Sequence, residues 1–152
     1  MRGQILRGLT MLMLTVALAF VSVVTPTNGQ SRRVLVANIP FEFIVGNKAL
    51  PQGTYIVQAV TPNSATLMIK SRDSRSASMR LTNGITAPKA SAEAKLVFHR
   101  YGEIYFLSEV WTVGESSGRQ LLKSSRERAS ERELAANAQG GYETVVILAT
   151  LQ

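Results

Sequence analysis

The chain has a single histidine, His99, followed four residues later by Glu103, inside a stretch that alternates like a β-hairpin. Imidazole exchanges a proton near neutral pH, and a neighbouring carboxylate can hold its ring in one orientation. His99 with Glu103 is therefore the catalytic pair the sequence offers, suited to a hydrolase. No serine, threonine or second acid is placed beside it by spacing, and a cross-strand polar pair at a hairpin end accounts for the same residues without catalysis. Asp73, the only aspartate, sits in the turn Arg72-Asp73-Ser74-Arg75, where turn formation explains it. Glycosidase chemistry needs two carboxyls at a fixed separation, and nothing in the placement of Glu42, Glu109 and Glu115 sets one. With no cysteine and one histidine, the sequence offers neither a thiolate nor a transition-metal site, and it implies no cofactor. Gly114 to Gly118 lacks the lysine of a phosphate loop.

Electrostatics offers a second kind of chemistry. Lysine and arginine number 17 against 10 acidic residues, a formal net charge of +7. Arg72 and Arg75 form one basic cluster, and Arg126, Arg128 and Arg132 form another. Such clusters attract acidic glycans, nucleic acid or anionic lipid head groups, although dispersed charge of one sign also simply keeps a domain soluble. Tyr101, with Tyr105 and Trp111 near Lys95 and Arg100, would extend this into a stacking-plus-charge surface. Packing in an apolar strand explains Tyr105 and Trp111 as well.

The elements that must hold these residues are mostly strands. From Val34 the period is two, with Leu35, Ala37, Ile39, Phe41, Phe43 and Val45 on one face. Pro40 cannot donate to a ladder, so this strand lies at an edge or bends there. Strands follow over 54–60, 65–71 and 77–82, separated by turns at Pro51-Gln52-Gly53, Pro62-Asn63, Asp73-Ser74 and Asn83-Gly84. Residues 85–92 and 114–118 are expected as loops. The hairpin of Lys95 to Tyr105 turns at Arg100-Tyr101-Gly102, which sets His99 opposite Glu103, and its second strand, running to Val113, carries large apolar groups on both faces. Ser124-Ser125-Arg126-Glu127 is a capping-box pattern opening a helix over about 125–138, whose thin apolar stripe is Leu134 with Ala129, Ala135 and Ala138. A last strand covers about 142–151. About seven strands and one surface helix make a mainly β domain, an antiparallel sandwich or small barrel. Phe41, Phe43, Leu96, Phe98, Phe106 and Trp111 are expected to fill one interior.

Ahead of this domain, Arg2 and Arg7 precede an apolar run from Leu9 to Val24, closed by Thr25-Pro26-Thr27-Asn28-Gly29. Charged start, apolar centre and small residues at a break are the parts of a secretory signal peptide, here residues 1–29, leaving 30–152 as one exported domain. The run is shorter than the roughly 20 residues that span a bilayer core, so no integral membrane segment is expected after cleavage. The domain would then be periplasmic or extracellular, with its charge reduced from +7 to +5 by loss of the two arginines.

Three stretches carry a resemblance: Asn38-Ile39-Pro40-Phe41-Glu42-Phe43 with Val45-Gly46, Leu50-Pro51-Gln52-Gly53-Thr54-Tyr55 with Val57, and Lys95-Leu96-Val97-Phe98-His99-Arg100-Tyr101-Gly102 with Tyr105-Phe106-Leu107-Ser108 and Trp111. Together they resemble a family of short secreted bacterial β-rich proteins of unknown function. The resemblance implies an exported β-rich domain and carries no activity with it. The Leu-Pro-x-Gly-x-Tyr element is also similar to the turn-plus-strand of transthyretin-like and carboxypeptidase-regulatory-like sandwich modules, which points to the same fold class.

The function this leaves is a non-enzymatic binding or structural domain of the envelope or extracellular space. Its alternatives are a hydrolase using His99 and a glutamate, and a binder of a polyanionic envelope component. The leader has a direct check: protein recovered outside the cytoplasm should begin at or near Gln30 by N-terminal mass spectrometry, and an intact Met1 on membrane-bound material would contradict it.

Overall fold

A strand with one apolar face is stable only when that face is covered, and here the strands cover one another by closing on themselves. The computed structural model describes residues 33–62, 64–73, 75–137 and 140–152, all within the compact unit Arg32–Gln152. The predicted leader lies outside the described residues. Among the described residues there are ten strands, β1 (Val34–Ile39), β2 (Phe43–Val45), β3 (Lys48–Leu50), β4 (Gly53–Ala59), β5 (Thr66–Ser71), β6 (Ala77–Thr86), β7 (Ala94–Tyr101), β8 (Ile104–Trp111), β9 (Ser117–Leu121) and β10 (Glu143–Leu151), and one helix, α1 (Ser125–Ala136), between β9 and β10. Antiparallel pairing runs β8-β7-β10-β1-β4-β5-β6-β9, and β9 pairs with β8 to close an eight-stranded barrel. Of the two expected architectures, the chain adopts the barrel.

The sequence-predicted first strand is divided at Pro40. The chain bends there, and β2 leaves β1 to pair in parallel with the start of β8, Phe43 beside Tyr105 and Ile44 beside Phe106. β8 thus meets β7 along one edge and two partners along the other: β2 near its start, and β9 at Glu109–Trp111. β2 turns at Gly46, whose φ of +67° is accessible to glycine, and returns as β3. The inserted hairpin makes the circumference one strand larger at the end where β1 finishes and β4 begins.

Barrel girth grows with strand number, so the wider end needs larger side chains. Phe41, Phe43, Tyr55, Phe98 and Tyr105 lie toward it, joined by edge-on contacts between Phe43 and Tyr55 at 4.9 Å, Phe43 and Phe98 at 5.5 Å, and Phe41 and Phe98 at 5.3 Å, with Phe41 stacked on Tyr105 at 4.0 Å. Toward the narrow end the interior is aliphatic and small: Leu35, Val57, Leu67, Ala94, Leu96 and Val110. The Tyr55 hydroxyl, buried with its ring, donates to the Pro51 carbonyl at 2.7 Å. The interior is thus filled with side chains.

β8 carries a bulge. Val97 faces Glu109 and Phe98 faces Leu107, which leaves Ser108 as the extra residue. The bulge lets both Leu107 and Val110 point inward while Phe106 points outward, so apolar groups on both faces of this strand are each covered. The single interior expected for six residues is therefore two. Phe41, Phe43, Leu96 and Phe98 belong to the barrel core, whereas Phe106 joins Ile44 and Tyr101 on the outer wall against Leu134 of α1. Trp111 belongs to neither. It faces Gly118 on β9, where an added Cβ would come within 2.7 Å of the indole.

Two expected loops are partly strand. β6 continues through Asn83-Gly84 to Thr86, and Ser117–Leu121 forms β9, because the two pair with each other from Thr82–Leu121 to Thr86–Ser117. The turn signal in Asn83-Gly84 is permissive, and ladder formation overrides it.

The taper makes opposite changes of volume costly at opposite ends. Phe98→Ala should lose about 3–5 kcal/mol by emptying the wide end, and Ala94→Leu should lose about 1–3 kcal/mol by overfilling the narrow end, although it adds apolar surface. Chemical denaturation would measure both; a stabilising Ala94→Leu would mean that the narrow end has room to spare.

Candidate functional site

His99 sits on the outer face of β7, opposite Phe106. The hairpin turns through Gly102 and Glu103, not through the predicted Arg100-Tyr101-Gly102, since Tyr101 already pairs with Ile104. Gly102, at φ +61°, supplies the left-handed backbone that a tight hairpin needs at its first loop position. This register removes Glu103 from His99. Its side chain is 89% exposed and pairs with Arg100 at 3.0 Å, so the expected His99–Glu103 pair is not formed.

The carboxylate that reaches His99 comes from α1. Ser124 is the N-cap, and its Oγ accepts the Glu127 backbone N–H at 3.1 Å, as the sequence predicts. Glu127 turns toward the barrel wall. There its Oε1 accepts from His99 Nδ1 at 3.3 Å and from the Tyr101 hydroxyl at 3.4 Å. Glu127 is 5% exposed and is the one buried residue of the helix; Ala129 and Ala135 of the expected apolar stripe are exposed. Ala138 lies outside the described residues. The Tyr142 ring stacks on His99 with centroids 3.7 Å apart. Lys123 reaches toward Tyr142, Nζ 5.6 Å from the ring centroid, while donating to Glu131 Oε1 at 2.7 Å.

The chemistry available here is retention of the helix. A buried carboxylate is tolerated when hydrogen bonds replace its water, and removing one partner of such a pair leaves an uncompensated charge. His99 is 7% exposed, with Nδ1 on Glu127 and one ring face under Tyr142. Tyr101, expected as a ligand contact, is 2% exposed and belongs to this buried cluster. Burial, and then the Glu127 charge, push its phenol up from 10.0 to about 12.

The other sequence candidates are spread over the barrel. Tyr101 lies beneath α1, Tyr105 stacks on Phe41, and Trp111 donates from Nε1 to Glu109, so the three rings make no common platform. Glu109 is thus engaged by Trp111, Glu115 pairs with Arg33, and Glu42 is exposed ahead of β2. Arg72 and Arg75 are exposed in the β5–β6 turn, and Arg126 is exposed at the start of α1. Arg128 and Arg132 lie four residues apart on one helix face, where Arg128 donates to the Lys123 carbonyl and Arg132 to the Arg128 carbonyl. Among the described residues no three metal-ligating side chains converge, and no helix is long and apolar enough to cross a membrane. Sequence spacing could not reveal Glu127 as the partner of His99, because the contact joins residues 28 apart; its only signal was a capping box beside an otherwise weakly apolar helix.

Comparison of the chain with protein-family models, with curated proteins and with solved structures finds no match.

A phenol whose folded-state pKa is raised contributes its full stabilisation below its unfolded value and loses it as pH climbs through the folded value. The protein should therefore lose stability between about pH 10 and pH 12, by up to about 2 kcal/mol from Tyr101. In Tyr101→Phe the slope over this window should flatten without vanishing, since burial raises the Tyr55 phenol as well. Denaturant titrations of the two proteins across the window would show the difference, and parallel curves would remove Tyr101 from the account.

Proposed function

We propose that this chain is an exported, non-enzymatic binding domain of the cell envelope or extracellular space. The observation that carries this reading is the enclosure of His99. A general base must reach the proton it takes from substrate, and His99 is spent on Glu127 and Tyr142 beneath a helix. The hydrolase alternative would need α1 to lift away, breaking the contact that holds Glu127 in place. The filled interior supports the same reading, because a barrel of this size can hold a small ligand only where side chains leave it room. What remains for recognition is the outer surface of a domain whose formal charge is +5 once Arg2 and Arg7 are removed from the chain's +7. The leader composition supports export, and the absence of cysteine means that the domain needs no oxidant to fold there.

The test is a pair of measurements on the same protein. Turnover of esters, glycosides, peptides and phosphoesters should stay at background for the parent and for His99→Gln, while His99→Gln lowers the melting temperature. Turnover in the parent that His99→Gln abolishes with its fold intact would overturn the non-enzymatic reading.

A further inference from the structure

The barrel wall is not continuous where the inserted hairpin meets β6. On β6 only Thr82–Thr86 pair with β9, so Ala77–Leu81 have β5 on one edge and face β3 on the other without a ladder between them. Cationic side chains occupy this seam. Lys48 Nζ donates to the Ala77 carbonyl at 2.8 Å, and the half-buried Arg80 packs its guanidinium against Gly46, where an added Cβ would lie 2.5 Å from Cζ. On the other flank of the hairpin the Ser125 hydroxyl lies 3.3 Å from Asn47 Oδ1, which brings Arg126 to the same turn. Lys70 is in register with Ala77, and Arg72 and Arg75 stand exposed in the turn that joins β5 to β6.

Among the described residues, none of these six cations is in an ion pair. Elsewhere Arg33, Arg100 and Lys123 are neutralised by carboxylates, while Arg119, Arg128 and Arg132 donate to carbonyls. Lys89 and Lys95 resemble Lys70, Arg72, Arg75, Arg80 and Arg126 in having neither kind of partner among the described residues, whereas Lys48 donates to the Ala77 carbonyl. Asp73 stands exposed in the turn between Arg72 and Arg75, while Glu127 faces the barrel. Lys48, Lys70, Arg72 and Arg75 gather around the start of β6 against the single carboxylate of Asp73, and such an excess of like charge concentrates a positive potential that a polyanion relieves.

We propose that the seam between β3 and β6, with the β5–β6 turn and the start of α1 as its flanks, binds an acidic polysaccharide. This rests on the non-enzymatic binding reading above and names its ligand class. Arginine matches carboxylate, sulfate and phosphate groups through paired donors. Arg80 is only half-buried, so a chain presenting such groups singly can approach it, where a flat head-group layer meets the exposed Arg72 and Arg75. Among the described residues the exposed aromatic ring is Tyr142, which stacks on His99, so the seam lacks the stacking that holds single-stranded nucleic acid.

The experiment measures binding of a heparin oligosaccharide to the purified protein over a series of salt concentrations, with an oligothymidylate and phosphatidylglycerol vesicles as competing probes. Arg72→Gln with Arg75→Gln should weaken heparin binding at least about tenfold at low salt and reduce the slope of log affinity against log salt by about two, one for each lost contact. Lys89→Gln with Lys95→Gln removes the same charge from outside the seam and should change the affinity by less than about twofold. Melting temperatures of both variants should match the parent, since Arg72 and Arg75 are exposed. Equal weakening by the two pairs, tighter binding of either competing probe, or no heparin binding by the parent would each overturn the seam proposal. In all three cases a flat turnover screen leaves the non-enzymatic reading standing, whereas His99-dependent turnover removes that reading whatever the glycan result.

Discussion

The constraint on which the architecture depends is the divided edge of β8. One edge of this strand is occupied by β7; the other must satisfy β2 near its start and β9 near its end. Because β9 is too short to run the full height of the wall, the hairpin of β2 and β3 fills the remainder. The wall therefore has different girths at its two ends, and the aromatic residues gather at the wider one, among Ala37, Ile39, Val45 and Leu50, while Leu35, Val57, Leu67 and Ala94 line the narrower. The same arrangement brings Ile44 to the outer wall, where it helps to form the apolar patch under α1.

Polar and apolar forces divide the work on the two faces of that wall. Inside, burial of large apolar groups dominates. Outside, α1 offers little beyond Leu134 to bury, and its position is fixed by a carboxylate that receives two donors from β7. An arrangement of this kind gives less net stabilisation than an apolar contact of equal area, yet it is specific, since a misplaced helix would strand a charge. Ser124 couples the two levels: the same residue that caps the helix orients the first turn so that Glu127 faces His99.

Much of the fold was legible because period-two patterning survives in the barrel. Leu35, Ala37, Ile39, Phe43 and Val45 share the core as the alternation requires, although Pro40 divides them between two strands. The helix was legible from its cap, and Ser125–Ala136 falls within the expected span. What escaped was long-range or compensatory. Ser117–Leu121 has weak strand character alone and becomes β9 only through β6 and β8, and the bulge at Ser108 sends Phe106 and Leu107 to different cores. The candidate site was half legible. His99 was identifiable by its chemistry, but the hairpin turn at Gly102-Glu103 sets it opposite Phe106, three residues beyond Glu103, which leaves Glu103 in solvent and the imidazole facing the helix.

The position of β10 has a consequence for how the chain comes to be folded. This strand, among the last residues in sequence, lies between β7 and β1, and the Gln152 amide donates to the Val34 carbonyl at 2.8 Å. A chain synthesised from its N-terminus thus lacks the strand that joins β7 to β1 until β10 has been made. Before then β1 has one neighbour instead of two and the cylinder stands open, with its apolar lining reachable by water and by holding factors. Closure is a late, long-range event with a correspondingly slow rate. The barrel commits to its shape only when β10 docks between β7 and β1.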